Sequence, residues 1–223
     1  MVANGTANEQ LGRRERKKAQ TRRTIAETAL RLFLERGYDA VGVREVAQEA
    51  DVATATLFAH FPSKEALVFD QDDEQEEALL DVVRRRPQDV STPEALRRWF
   101  HGMAETARSE PDLDRFHRLI ESTPALRDYS AKMWLRHEEA LADAIATDVG
   151  LSAPDTASRL VARTALGVIP SITSLDEAAQ VIDETFDFVE AGWAATATRG
   201  RGRAEAGSRR RSPGERELER GAE

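Results

Sequence analysis

The sequence predicts an all-α protein, with a small N-terminal domain of three helices and a larger helical domain after it. Apolar residues recur at intervals of three and four, and no run alternates with a period of two as a strand would. Aromatic residues make up only 6% of the 223 residues, and Ala, Leu, Glu and Arg are abundant. This composition favours helices over a β-sandwich.

Residues typical of helix starts and ends divide the chain into helices. Ile25, Ala29, Leu32 and Phe33 form one apolar stripe of a first helix that Gly37 ends. Thr54 is expected to cap the third helix, and Ser91 to open a capping box with Glu94. The expected helices span residues 16–36, 43–50, 54–61, 63–85, 91–108, 111–121, 123–149, 153–168 and 174–198.

These elements predict four segments along the chain. Residues 1–15 are expected to be a disordered arm, and 199–223 a disordered basic tail with almost no apolar side chains. Between them lie the small domain at 16–68 and the large domain at 69–198. The chain has no cysteine, no visible secretory signal and no apolar run of the ~18–20 residues that a membrane helix needs. We therefore expect a cytoplasmic protein with no membrane partner.

Charge is distributed unevenly along the sequence. The net charge is -8, which at first argues against a nucleic-acid partner. Residues 13–23, however, hold seven Arg and Lys against one Glu, whereas residues 69–198 hold thirteen against twenty-six Asp and Glu. A basic arm therefore precedes a large acidic body. Such blocks often contact phosphate, although a solvated arm would have the same composition.

Residues 43–61 form the motif that carries most information about function. Two short helices must cross closely here, and the small side chain of Ala47 permits the approach. Asp51 stands at the turn, where the backbone often needs a positive φ that Asp tolerates better than most residues. Val46 and Leu57 would close a miniature core. This is helix-turn-helix geometry, in which the second helix enters the major groove of DNA.

Residues 20–68 resemble the DNA-binding domain of the TetR family of transcriptional regulators. The resemblance is carried by IAETALRLFLERG at 25–37 followed by Tyr38, by VREVAQEADV at 43–52, and by LFAHFPSKEAL at 57–67. The rest of the chain agrees with the family in layout. Asp51 and Ala55 stand where the family usually has Gly, Phe58 replaces a common Tyr, and Gly42 replaces a usual Thr.

The resemblance implies a DNA-binding surface. Thr54, Ala55 and Thr56 would face the bases, and Arg44 would reach the backbone or a base edge. His60, Lys64, Thr24 and the arm 13–23 would contact phosphate or the minor groove. Phe58 would either contact DNA or pack. The full predicted DNA-binding set is Arg22, Arg23, Thr24, Arg44, Thr54, Ala55, Thr56, Phe58, His60 and Lys64.

The larger domain is expected to bind a small molecule and to dimerise. Pockets are mostly apolar with a few polar groups, and the predicted lining is Trp99, Met103, Phe116, Ile120, Met133, Trp134 and His137. Apolar stripes of this kind also build plain cores. By the resemblance, the last two helices would form a homodimer interface, with Leu160, Leu166, Ile182, Phe186, Val189 and Trp193 as its apolar residues.

Signals for catalysis are poor. His137-Glu138 begins a metalloprotease motif, but Leu141 stands where the second His is required. We expect no catalytic residues, no metal and no cofactor.

The sequence therefore predicts a repressor that binds a palindromic operator as a homodimer and is released by a hydrophobic effector. That effector would move the fourth helix (63–85), which is continuous with the DNA-binding unit. The movement would change the spacing of the two recognition helices, which would lie about 34–36 Å or slightly more apart. A transcriptional activator and a ligand-independent DNA-binding regulator remain open as alternatives. A helical enzyme and a protein-binding adaptor are the more distant ones.

Overall fold

The computed structural model describes residues 3–109, 112–172 and 176–209, and within these ranges the chain is all-α with no strand. The predicted fold class is confirmed. A single turn of 3-10 helix, Glu65–Leu67, lies between the third and fourth helices. The α-helices are α1 (Ala3–Arg36), α2 (Val43–Glu49), α3 (Thr54–His60), α4 (Asp72–Arg84), α5 (Thr92–Arg108), α6 (Leu113–Ser122), α7 (Pro124–Asp148), α8 (Thr156–Leu166), α9 (Val168–Ser171) and α10 (Ala178–Arg209).

The chain divides into two compact units. The N-terminal unit comprises Met1–Ala78 and Ser109–His137, and the C-terminal unit comprises Leu79–Arg108 and Glu138–Glu223. The division falls within α4 and α7, so it differs from the boundary predicted at residue 68. The reason is apolar packing: Leu119 of α6 and Leu126 of α7 are buried in the same core as α1 and α3.

The core of the N-terminal unit is built on one face of α1. The stripe predicted from the sequence is buried, with Ile25 and Ala29 fully enclosed and Phe33 nearly so. Phe33 also packs against Tyr38, with ring centroids 5.1 Å apart. Helix α1 ends at Arg36, and the Gly37 that follows has a φ of 88°, the left-handed conformation expected of a glycine that stops a helix. Apolar burial therefore fixes α1 as the base on which α2 and α3 pack.

The fourth helix is interrupted, which corrects the prediction of a continuous helix over 63–85. Ser63 Oγ accepts a hydrogen bond from the Ala66 amide and so starts the 3-10 turn. The regular α-helix begins only at Asp72. Residues 68–71 thus form a connection between the turn and α4.

Two further expectations differ from the structure. Thr54 is the first residue of α3 and not its cap; the N-cap is Ala53, which makes no side-chain cap bond. Helix α1 begins at Ala3 and α10 ends at Arg209, so helix occupies much of the predicted arm and part of the predicted tail. The tail from residue 210 onward lies outside the described residues. In the arm, Ala, Gln, Glu, Arg and Lys are all good helix formers.

The C-terminal unit is organised around α5, α8 and α10, which pack against one another. Phe100 of α5 meets Phe186 of α10 with ring centroids 5.6 Å apart. Leu96 and Ile182 are fully buried beside them. The capping box predicted at Ser91 is present on one side, since the Glu94 amide donates to Ser91 Oγ at 3.1 Å.

Ion pairs and hydrogen bonds tie the helices of the C-terminal unit together. Asp148 at the end of α7 accepts bonds from Arg86 Nε at 2.9 Å and Nη2 at 2.7 Å, and from Thr92 Oγ1 at 3.1 Å. Arg97 of α5 binds Asp187 of α10 at 2.6 Å. In the described part of the chain, no helix combines the length and apolarity needed to cross a membrane.

Candidate nucleic-acid interface

The turn between α2 and α3 has the geometry that the sequence predicted. Asp51 adopts a φ of 53°, and it is the one non-glycine residue with a positive φ among the described residues. Directly after it, the Val52 amide donates to the Ala47 carbonyl at 2.9 Å. Val46, Ala47 and Leu57 are buried where the two helices cross. The small Ala47 and the left-handed Asp51 therefore let α3 cross closely over α2.

Helix α3 presents an outer face that the core does not use. Leu57 points inward and is fully buried, which turns the opposite side of this seven-residue helix outward. Ala55 is exposed, and Phe58 keeps 49% of its surface accessible. Thr54 and Thr56 are half-buried at the edges of this face. A face of small and hydroxyl side chains with one aromatic ring suits contact with base edges and thymine methyl groups.

Basic residues flank this face, but they are held differently. Arg23 on α1 and Arg44 on α2 are exposed, as are the five basic residues of the arm at 13–18. Thr24 is half-buried and accepts a 3.5 Å hydrogen bond from the Gln20 side chain. The exposed residues can approach phosphate without breaking any internal contact given by the structure.

Arg22 is engaged inside the domain. Its Nη1 donates to the His60 carbonyl at 2.7 Å, and its Nη2 donates to the Asp70 carbonyl at 2.8 Å. The guanidinium also lies 4.4 Å from the centre of the Phe61 ring. Arg22 was predicted to contact DNA, and its charged group is instead bound to two backbone carbonyls.

Lys64 is also folded back onto the domain. Its Nζ donates to the Tyr38 carbonyl at 2.5 Å and lies 3.9 Å from the centre of the Tyr38 ring. Burial lowers the pKa of this ammonium, although the charges of Asp39 and Glu65 oppose that effect. A phosphate could reach Lys64 only if the side chain shared or released the Tyr38 carbonyl.

Tyr38 and Glu65 support this arrangement. The Tyr38 hydroxyl donates to Glu65 Oε1 at 2.8 Å. Burial, together with this bond to a carboxylate, raises the pKa of Tyr38 far above its usual value. Burial alone would raise the pKa of Glu65, but bonds from its own amide, Tyr38 and Ser63 and the charge of Lys64 outweigh it, so that pKa is lowered. Tyr38 therefore stays protonated and Glu65 stays ionised at neutral pH, and these are the forms that favour the hydrogen bond.

His60 is the last residue of α3, the helix that is predicted to enter the major groove. Burial lowers its pKa, and the positive charges of Arg22 and Lys18 lower it further. The imidazole is therefore neutral near pH 7 in the free protein. A phosphate placed beside it would favour the charged form.

The predicted pocket residues divide between the two units. In the C-terminal unit, Trp99 packs edge-on against Phe100, and Met103 is exposed. In the N-terminal unit, Phe116 and Ile120 pack against the core of the helix-turn-helix, and Met133 is buried. His137 is buried against Trp134, and its Nε2 lies 2.8 Å from an oxygen of Asp72. Their role in a pocket stays a prediction.

Two grooves lie within the C-terminal unit, and the predicted pocket residues line neither. One, of about 340 Å³, is formed by α7 and α8 and contains Glu138, Arg159 and Arg163. The other, of about 510 Å³, is formed by α4 and α7 and contains Leu80, Arg84 and Asp143. Both have charged residues in their walls.

The predicted dimer residues are mostly internal. Leu166, Ile182, Phe186 and Val189 are buried within the unit, and Trp193 is half-buried. Leu160 on α8 is 58% exposed. Sequence reasoning missed Phe188 on α10, which is 76% exposed. The helical period could have found it, because residues 182, 186, 189 and 193 share one face and position 188 lies away from it.

Arg22 and His137 were predicted as site residues, but the contacts that they make left no local signal in the sequence. The partners of Arg22 are 38 and 48 residues away, and those of His137 are on α4. Every residue has a backbone carbonyl, so no sequence motif could predict the contacts of Arg22. The pairing of His137 with Asp72 depends on how α4 packs against α7.

Comparison with known proteins identifies both parts of the chain. Residues 25–70 match the family of bacterial regulatory proteins called tetR, and residues 90–194 match the MftR C-terminal domain. The mycofactocin biosynthesis transcriptional regulator MftR of Mycobacterium tuberculosis is 31% identical over 190 residues, covering 79% of this chain and 93% of that protein. The transcriptional regulator TcmR of Streptomyces glaucescens is 30% identical, covering 65% of this chain and 67% of that protein.

Solved structures agree on the fold. NalD, the secondary repressor of the MexAB-OprM multidrug efflux pump in Pseudomonas aeruginosa, superposes with a TM-score of 0.52 at 20% identity, over 76% of this chain and 96% of that one. The matches to the tetR family and to MftR show that the chain is a DNA-binding transcriptional regulator. The chain belongs to the TetR family of transcriptional regulators.

Proposed function

We propose that the protein is a cytoplasmic repressor that binds a palindromic operator as a homodimer and leaves it when a small hydrophobic molecule binds. The observation that carries the DNA-binding part is the outer face of α3. Ala55 and Phe58 are exposed on it, while Leu57 anchors the helix to the core. The exposed Arg23 and Arg44 supply positive charge on the neighbouring helices.

The experiment that tests DNA binding is selection from random duplexes with the purified full chain. We expect an inverted repeat whose half-sites are about one helical turn apart, since a two-fold dimer reads DNA symmetrically. The role named for MftR makes promoters of mycofactocin biosynthesis genes a first natural candidate. Recovery of no enriched sequence at low salt would contradict the proposal. Enrichment of a direct repeat would contradict its palindromic part.

The homodimer is proposed to form through α8 and α10. The buried positions of α10 face the unit's own core, which leaves the exposed apolar side chains Leu160 and Phe188 for a partner. We expect Phe188→Asp to convert a dimer to a monomer in light scattering after gel filtration. Leu135→Asp on α7 is the matched control, because Leu135 is also an exposed apolar residue. A dimer that survives Phe188→Asp would exclude this surface.

The effector is proposed to be hydrophobic because most of the residues predicted for its pocket are apolar or aromatic. Trp99 and Trp134 belong to that set, so the sequence predicts that both sense the effector. In a Trp193→Phe background, fatty acids of medium and long chain should change tryptophan fluorescence and weaken operator binding in the same concentration range. A fluorescence change without loss of operator affinity would favour the ligand-independent alternative.

Repression and activation are separated by a reporter carrying the selected operator. We expect lower expression when the regulator is present and recovery on addition of an active effector. Higher expression in the presence of the regulator would favour the activator alternative.

A further inference from the structure

The side chain of Arg22 joins two parts of the N-terminal unit that are far apart in sequence. One is the carbonyl of His60, the last residue of α3, at 2.7 Å. The other is the carbonyl of Asp70, in the connection that leads into α4, at 2.8 Å. The α3 carbonyl at this position has no partner within the helix, because the last four carbonyls of a helix are left over. Arg22 therefore caps α3 from outside.

The chemistry of the guanidinium suits this bridge. Its two terminal nitrogens donate in a fixed planar fork, so one side chain can hold two carbonyls at once. Its central carbon Cζ lies 4.4 Å from the centre of the ring of Phe61, the residue that follows α3 and is itself buried. A lysine ammonium has no such plane and is a point charge on a flexible stem. The site is therefore selective for Arg and not for positive charge alone.

The connection that Arg22 binds, at residues 68–71, is also held in place through its neighbour Asp72. Asp72, two residues after Asp70, is the first residue of α4. Its carboxylate binds Arg136 and lies 2.8 Å from Nε2 of the buried His137, both on α7. All of these residues belong to the N-terminal unit. Residues 70–72 thus lie between a clamp from α1 and a clamp from α7, and the α1 clamp also holds the end of α3.

We propose that Arg22 is a positioning residue for DNA recognition. It fixes the end of the recognition helix to the start of α4, and it does not bind phosphate. A shift of residues 70–72 would pull on the same guanidinium that caps α3. This inference rests on the proposed DNA-binding function and adds to it the residue that links α4 with α3.

The decisive experiment compares Arg22 with its neighbour Arg23. Arg23 is exposed on the same helix and is predicted to contact phosphate, which makes it the matched control. Each arginine is changed to Lys and to Met in the full chain, and affinity for the selected operator is measured over a range of salt concentrations. The temperature is kept well below the unfolding midpoint of every variant, so that global stability does not enter the affinity.

The two arginines should respond in opposite ways. Arg22→Lys and Arg22→Met should both weaken operator binding by roughly tenfold, with an unchanged dependence on salt. Arg23→Met should weaken binding and lower the salt slope by about one, whereas Arg23→Lys, which keeps the charge, should keep the slope. Near wild-type binding by Arg22→Lys, or a lower salt slope in Arg22→Met, would assign Arg22 to phosphate and overturn the proposal.

Hydrogen exchange tests the same link without DNA. In Arg22→Lys, amides of residues 54–61 and of 68–72 should exchange faster together, while those of α2 stay as in wild type. Arg23→Lys should leave both segments unchanged. Unchanged exchange in Arg22→Lys would overturn the proposal, and so would loss of helical circular dichroism in both Arg22 variants, which would make Arg22 a general stability residue. If the wild type selects no DNA, the proposed function fails, and this measurement still decides the link.

Discussion

The cationic side chains beside α3 and those that tie the C-terminal unit together have different partners. Around α3, Arg22 and Lys64 donate to backbone carbonyls and lie over the rings of Phe61 and Tyr38. In the C-terminal unit, Arg86 and Arg97 are bound to the carboxylates of aspartates. A carbonyl or a ring holds a cation without cancelling its charge, whereas a carboxylate neutralises it.

This difference matters for a protein that approaches DNA. Beside α3 the internal cations hold the backbone in place, and the exposed Arg23 and Arg44 are the ones left to attract phosphate. In the C-terminal unit, the same kinds of side chain serve as ties between helices. Residues 138–198 of this unit carry eleven acidic residues against two basic ones, so pairing leaves a surplus of negative charge there. The contrast predicts which apolar, ionic and helix-cap substitutions will lower the free energy of unfolding most.

The largest expected effect is loss of the apolar anchor of α3. Leu57→Ala removes a fully buried side chain from the small core and should lower the free energy of unfolding by about 2–5 kcal/mol. Urea denaturation followed by circular dichroism measures it. Phe58→Ala, on the exposed side of the same helix, should change stability little. Equal losses in the two variants would mean that the assigned inner and outer faces of α3 are wrong.

The next effect should come from the most enclosed ion pair of the C-terminal unit. Arg86 and Asp148 keep only 18% and 16% of their side-chain surface exposed. Asp148→Ala leaves Nε and Nη2 of Arg86 without their carboxylate and removes the acceptor of Thr92, which should cost about 2–3 kcal/mol. The measurement is again urea denaturation, now at low and high salt. Asp143→Ala, an exposed residue of α7, is the control and should cost under about 0.5 kcal/mol.

The features that the sequence predicted correctly are local ones. The turn at Asp51 follows from neighbouring residues, because a tight crossing demands a small Ala47 and a residue that tolerates positive φ. The buried stripe of α1 follows from the helical period, and the stop at Gly37 from the freedom of glycine. Each of these features is determined by residues that are close together in the sequence.

The features that it missed depend on distant contacts. The predicted continuous fourth helix is broken before Asp72, where the Asp70 carbonyl binds Arg22 from 48 residues away. The apolar face of α10 was visible, but periodicity does not say whether it meets its own α5 or another copy. Phe186 meets Phe100 of α5, and this packing leaves Phe188 outside. Tertiary pairing decided both outcomes.

A smaller, pH-dependent effect is expected at the start of α8. Asp155 caps this helix by accepting the Ser158 amide at 2.8 Å, and this bond is the main reason that the pKa of Asp155 is lowered. Asp155→Ala should cost about 1 kcal/mol at neutral pH. Because the pKa is lower in the folded state, the cap stabilises fully above the unfolded value of about 3.9 and is lost as pH falls through the folded value.

Denaturation of the wild type and Asp155→Ala from neutral to acidic pH checks this sign. Their difference in stability should shrink below about pH 4. Asp155→Asn keeps a good cap without a titrating group, so it should stay near wild type at neutral pH and should not show the loss of stability that protonation of the carboxylate causes at low pH. A difference that grows on acidification would contradict the assignment.

The smallest effect should come from an exposed ion pair between α5 and α10. Arg97 binds Asp187 at 2.6 Å, but Asp187 keeps 72% of its side-chain surface exposed. Arg97 also lies within 4 Å of Glu94 and Asp183, so it keeps carboxylate partners after Asp187→Asn. The variant should lose under about 0.5 kcal/mol at low salt, and this difference should vanish near 1 M salt, where screening is strong. A loss as large as that of Asp148→Ala would mean that networks, and not enclosure, set the strength of the ties in the C-terminal unit.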